Sequence, residues 1–176
     1  MACAGAVVEF QALRGVRNEY IIKEFAAVDL ATGWFVIELF APPYERERLS
    51  LKVQRSNDWL QHYYHRLCWD DGNVPYKDMV PTIVQICSGF PVLYTKGLEK
   101  TNFLKQYHHN VLDMNVLFAP CVRRTSFFSN IQCPVSLHHQ QQQQQPSVQC
   151  ALHNALFYTD WLRKNVNYQQ PCSSAV

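Results

Sequence analysis

Ala6-Val7-Val8-Glu9-Phe10-Gln11-Ala12 is the stretch on which the fold turns. Its apolar run predicts a strand in the middle of a sheet, yet an acid sits where only core is expected. A carboxylate in a central strand has to be paired, protonated or bound to a cation, because an isolated buried charge is too costly. Glu9 is therefore the residue that needs an explanation. The plainer alternative is a strand end open to water, with Glu9 simply solvated.

Downstream, Tyr20 to Asp29 reads as a second strand, Ala31-Thr32-Gly33 as a turn and Trp34 to Phe40 as a third strand. Arg14 to Glu19 is just long enough for a tight connection, so these strands form an antiparallel meander. Ala41-Pro42-Pro43 ends it, since proline cannot donate to a ladder. The stretch Tyr44 to Arg55 then carries Arg46, Arg48, Lys52 and Arg55 against only Glu45 and Glu47. A basic loop beside a sheet suits a phosphate backbone, although such a run is also compatible with a plain solvated surface.

Ser56-Asn57-Asp58 predicts a helix start, followed by apolar and aromatic positions at Trp59, Leu60, Tyr63, Tyr64 and Leu67. Trp69 to Asn73 is a turn whose Asp70-Asp71 pair suits either a cation or ordinary turn chemistry. A further helix fits Asp78 to Cys87 if Pro81 lies in its first turn. Pro91 to Tyr94 and Val111 to Met114 read as short strands around a helix from Leu98 to Tyr107, which implies a parallel crossover. The expected class is α/β, with a mixed five-stranded sheet and helices on both faces.

At 176 residues, 48% of them hydrophobic, the chain suits one domain with a substantial core. A net charge of +2 argues against a strongly basic nucleic-acid binder but permits a local basic groove. The start, Met1-Ala2-Cys3-Ala4-Gly5, lacks a charged leader, and no apolar run reaches the roughly 20 residues of a membrane span. Seven cysteines without a tight framework suggest reduced thiols and an intracellular location, cytoplasmic or nuclear. The domain is expected over residues 5–165, with a mobile low-complexity insert at 138–146 and a disordered tail at 166–176. Ala151, Leu152, Ala155, Leu156, Thr159 and Leu162 repeat at helical spacing, and Arg163-Lys164 suits a helix C-terminus.

Four stretches together resemble the proofreading-type 3′–5′ exonucleases of the ribonuclease-H-like superfamily, the branch named for four acids and a histidine. Val8-Glu9-Phe10-Gln11 stands where that family has Asp-x-Glu. Leu93 to Leu104 resembles its second block, with Lys100 at the place of an aspartate and Glu99 beside it. Val111-Leu112-Asp113-Met114 looks like the following strand, whose aspartate the resemblance makes structural. Gln149-Cys150-Ala151-Leu152-His153-Asn154-Ala155 is similar to the last block, with Gln149 at the general-base histidine and Asn154 at the metal-binding aspartate. Two-metal cleavage needs clustered carboxylates for its divalent ions. Among the degenerate positions Glu9, Gln11, Lys100, Gln149 and Asn154 only one carboxylate remains, so no catalytic residue is expected. Magnesium or manganese enters only under the alternative of an exonuclease with an altered metal site.

Cys133, His138, His139, Cys150 and His153 supply the ligand types zinc favours. The order Glu, Cys, His, Cys is similar to that of the Maelstrom domain, a ribonuclease-H-like fold that has lost its nuclease carboxylates and holds zinc. That resemblance implies Glu9, Cys133, His138 or His139, and Cys150 as ligands, with His153 in reserve. Buried apolar cysteines and low-complexity histidines are the competing explanation. The expected function is a non-catalytic module that binds nucleic acid (RNA or single-stranded DNA) or a protein partner. Arg46, Arg48, Lys52 and Arg55 are the candidate nucleic-acid contacts, and no membrane contact is expected.

Overall fold

The strand carrying Glu9, β1 (Ala6–Arg14), lies at the centre of the sheet. It pairs antiparallel with β2 (Tyr20–Asp29), which pairs antiparallel with β3 (Phe35–Leu39). On its other side β1 runs parallel to β4 (Leu93–Thr95), and β4 runs parallel to β5 (Val111–Asp113). The order is β3-β2-β1-β4-β5, so the predicted mixed five-stranded sheet is the observed one. The computed structural model describes residues 5–124, 131, 133, 134 and 149–166. The His/Gln insert, with His138 and His139, and the tail beyond 166 lie outside the described residues.

Alternation along β1 splits the core into two layers. Val7 joins Ala26 and Val28 of β2 beneath the last helix, α4 (Ala151–Asn165). Ala6, Val8 and Phe10 face the opposite way with Phe25 and Ala27, against α2 (Met79–Ser88) and the end of α3 (Leu98–Leu104). The periodic positions expected on α4, from Ala151 to Leu162, are all buried. Helices therefore cover both faces. Pro81 is the third residue of α2, in the first turn where its missing N–H costs nothing.

One helix begins earlier than expected. α1 (Leu51–Leu60) starts at the N-cap Ser50, whose hydroxyl accepts from the Val53 amide, and continues as a π-helical turn over Gln61–His65. Lys52 and Arg55 therefore lie on a helix and not on a loop. Ser56, Asn57 and Asp58 are mid-helix because Ser50 already caps the chain upstream. The side chain of Asn57 is instead committed to β1, accepting from the Arg14 amide at 2.8 Å and donating to the Arg14 carbonyl at 2.9 Å.

A β-bulge, opposite Gln11 and Ala12, leaves Lys23 without a register partner on β1. Bulges re-aim side chains, and here the wholly buried Lys23 ammonium donates to the main-chain carbonyls of Trp69 (2.6 Å) and Asp71 (2.5 Å). The Trp69–Asn73 turn is thus stapled to the sheet. It also packs so tightly that a side chain on Gly72 would come 2.2 Å from the Phe40 main chain. Asp71 caps its own turn by accepting from the Cys68 amide, so the acidic pair does turn chemistry.

Burial, offset in part by Asp71 and Asp70, pulls the Lys23 ammonium down from 10.5 to about 8. Between those values the folded state binds fewer protons than the unfolded chain, so stability rises with pH there. The cost of the buried charge is fully present below about 8 and relieved by 10.5. Denaturant unfolding at a series of pH values should show wild type gaining up to about 3 kcal/mol on Lys23→Met across that window. A pH-independent difference would mean that Lys23 does not titrate in the fold.

Candidate metal centre and the site around Glu9

Glu9 is 1% exposed, and its carboxylate is fully engaged. One oxygen accepts from the Lys96 amide at 3.0 Å and from the Thr95 hydroxyl at 3.4 Å. The other is paired with the Lys100 ammonium, which also lies 5.3 Å from the centre of the Phe10 ring. The backbone delivers Lys100 through a sharp entry into α3, where Gly97 has a φ of 107° at the N-cap. Asp113 steadies that entry by accepting from the Gly97 amide at 3.0 Å. Burial alone would raise the Asp113 carboxyl, but the amides of Asn115 and Gly97 hold it below the ordinary value. Glu99, beside Lys100, accepts from the Tyr20 hydroxyl. Burial, reinforced by the Glu9 charge, pushes the Tyr158 phenol up.

A second acid does what was expected of Glu9. Glu24 sits across the ladder from Gln11, so both face α4. Its carboxylate, the Cys133 sulfur and the Cys150 sulfur all lie within 4.8 Å of one another, and all three residues are buried. Cys150 is the N-cap of α4 and donates to Glu24 across 3.7 Å, while the Ala151 amide donates to the other Glu24 oxygen at 3.1 Å. The hydrogen bond to Cys133, burial and the Glu24 charge together hold the Cys150 thiol well above its ordinary range. Two thiols and a carboxylate at this spacing can coordinate a metal ion. Tetrahedral ligands on arms of about 2.0–2.3 Å stand about 3.3–3.8 Å apart, which matches the Cys150–Glu24 contact.

The expected carboxylate, Glu9, is not in this convergent set. Cys133 and Cys150 do converge, but their carboxylate partner is Glu24, because Glu9 is taken by Lys100. His153 follows Cys150 on α4 and is not part of the convergent set; burial lowers its imidazole. His138 and His139 lie outside the described residues. Glu24 had a legible signal: like Glu9, it is an acid inside an apolar strand, Ile21-Ile22-Lys23-Glu24-Phe25-Ala26.

The other degenerate positions are amides, and they are buried. Asn154 donates to the Gln149 carbonyl oxygen at 3.2 Å, and the Gln149 amide donates to the Tyr64 carbonyl of the π-helical turn at 2.7 Å. Among the described residues, the buried Gln11 Nε2 and Asn154 Oδ1 atoms have no hydrogen-bond partner. Neutral amides cannot balance divalent charge. Of the four basic residues, Arg46 is consumed by Asp58 at 2.5 Å and Arg48 lies over the Tyr44 ring at 5.3 Å. No described helix is long and apolar enough to cross a membrane. No family model matches the chain, and neither a curated protein nor a solved structure matches it.

Removing Lys100 strands a buried carboxylate. Lys100→Met should lower stability by about 2 kcal/mol, less than for a fully enclosed pair because the lysine is 24% exposed and Glu9 keeps two other donors. The double variant Glu9→Gln/Lys100→Met should recover most of that loss in chemical denaturation. A loss in the double variant equal to the sum of the losses in Glu9→Gln and Lys100→Met alone would show that the two side chains are not coupled.

Proposed function

We propose that this chain is a non-catalytic ribonuclease-H-like module that binds nucleic acid or a protein partner and is stabilised by zinc. The observation that carries the reading is the Lys100–Glu9 ion pair. In the exonucleases that the sequence resembles, the carboxylates of the first strand hold divalent ions. Here a lysine supplies the positive charge, and Gln11, Gln149 and Asn154 add no negative charge. The same ammonium that stabilises Glu9 opposes a divalent ion beside it at short range.

Zinc fits Glu24, Cys133 and Cys150 by donor type and spacing. When bound, it would supply a structural cross-link between the sheet and the head of α4. The chain's own residues fix its place. Glu24 anchors the set to the sheet, and its hydrogen bond from Ala151 ties that anchor to the head of α4. Both thiols would release their protons to solvent as the metal takes their place, which would offset the cost of burying the thiolates.

Two outcomes follow. Purified protein should contain about one zinc per chain, and Cys150→Ser should lose the metal and melt at a lower temperature. Unchanged metal content in that variant would show that this cluster does not hold the zinc, and wild-type protein without zinc would remove the metal from the reading. End-labelled single-stranded DNA and RNA should show no magnesium- or manganese-dependent shortening above background. Degradation that vanishes in Glu9→Ala would establish an exonuclease with an altered metal site instead.

A further inference from the structure

The helix that begins at Leu51 and runs through the π-helical turn turns an unusual face to solvent. Arg55, Trp59 and Tyr63 follow one another at four-residue steps, with Lys52 one turn before Arg55. Trp59 is 52% exposed and Tyr63 is 66% exposed, although rings of this size are among the strongest drivers of burial. Their centroids lie 6.0 Å apart with the planes inclined by 39°, so two broad faces are presented side by side. The inner side of the same helix is fixed. Asn57 is bonded to the Arg14 main chain, and the buried His65 ring contacts the Ala12 carbonyl and the Leu67 amide. The aromatic pair therefore stands on a rigid platform.

Charge on this face has one sign. Asp58, the single acid of α1, is neutralised by Arg46, whereas Lys52 and Arg55 form no ion pair with any described residue. We infer that this face binds single-stranded polynucleotide, with bases stacked on Trp59 and Tyr63 and backbone phosphates against Lys52 and Arg55. The inference rests on the binding role proposed above and names its ligand. Stacking needs bases freed from a duplex, and two cations hold too few phosphates to secure a duplex by charge alone. The row is also too polar for a bilayer surface, since Lys52, Arg55 and Ser56 interrupt it and Leu51 is its one added aliphatic side chain.

The test is fluorescence anisotropy of the full chain with fluorescein-labelled oligouridylate and oligothymidylate of about twenty nucleotides. A duplex of the same length and phosphatidylserine vesicles serve as competitors. Both single strands should bind more tightly than the duplex. Trp59→Ala/Tyr63→Ala, which alters exposed positions and should melt like wild type, should weaken single-strand binding by about tenfold or more. Lys52→Gln/Arg55→Gln should reduce the slope of log affinity against log salt by about 1.4. Preference for one single strand over the other identifies the natural source, RNA or DNA, and agrees with the inference.

Wild-type affinity in the aromatic variant would overturn the assignment of this face while leaving a nucleic-acid-binding module intact. Competition by vesicles but not by oligonucleotides would assign the face to a membrane surface instead. No binding of any polynucleotide would overturn the inference and leave a protein partner as the module's ligand. The separate nuclease assay judges whether the module is non-catalytic.

Discussion

A carboxylate withdrawn from water has to be compensated, and in this chain Glu9 on the central strand is compensated by Lys100. That constraint links distant parts of the sequence. It requires β4 to lie beside β1, Gly97 to turn the chain sharply, and α3 to begin where its first turn overlooks the strand. Thr95 and the Lys96 amide complete the carboxylate's shell. An ion pair of this kind is weak evidence for added stability, since the lost hydration nearly cancels the attraction. Its weight lies in specificity. A buried acid that accepts only one arrangement of donors discriminates against other registers of the crossover.

Glu24 follows the same rule with a different answer. Two thiols and the amide at the head of α4 lie against it. The negative carboxylate suits the positive end of the helix dipole, so it stabilises the helix start with or without a metal. A cluster that does useful work in both states has reason to stay buried and well ordered. The two acids thus meet different partners: one is neutralised by an internal lysine, and the other lies beside two thiols.

The bulge opposite Gln11 and Ala12 is the hinge of this arrangement. It releases Lys23 from the ladder to bond the Trp69 and Asp71 carbonyls, while Glu24 stays in register opposite Gln11 and faces α4. Adjacent residues of opposite charge are thereby sent to different tasks. The left-handed Arg66 that ends the π-helical turn, with a φ of 65°, brings the chain back toward the turn that Lys23 holds.

Local pattern carried much of the fold. The meander, the short parallel strands, the place of Pro81 and the buried face of α4 all follow from apolar periodicity and turn chemistry, which act between near neighbours. The convergence of Cys133 and Cys150 was legible from ligand type. What sequence left open were choices among chemically equivalent residues. Ser50 and Ser56 are both good N-caps; in the fold Ser50 caps the helix and Asn57, beside Ser56, is committed to β1. Glu9 and Glu24 are both acids in apolar strands, and only the pairing of β1 with β4 and the bulge in β2 decide which meets the lysine and which meets the thiols. Composition determines that buried charges must find partners. Which partner each one finds depends on distances across the sheet, and those exist only once the chain has folded.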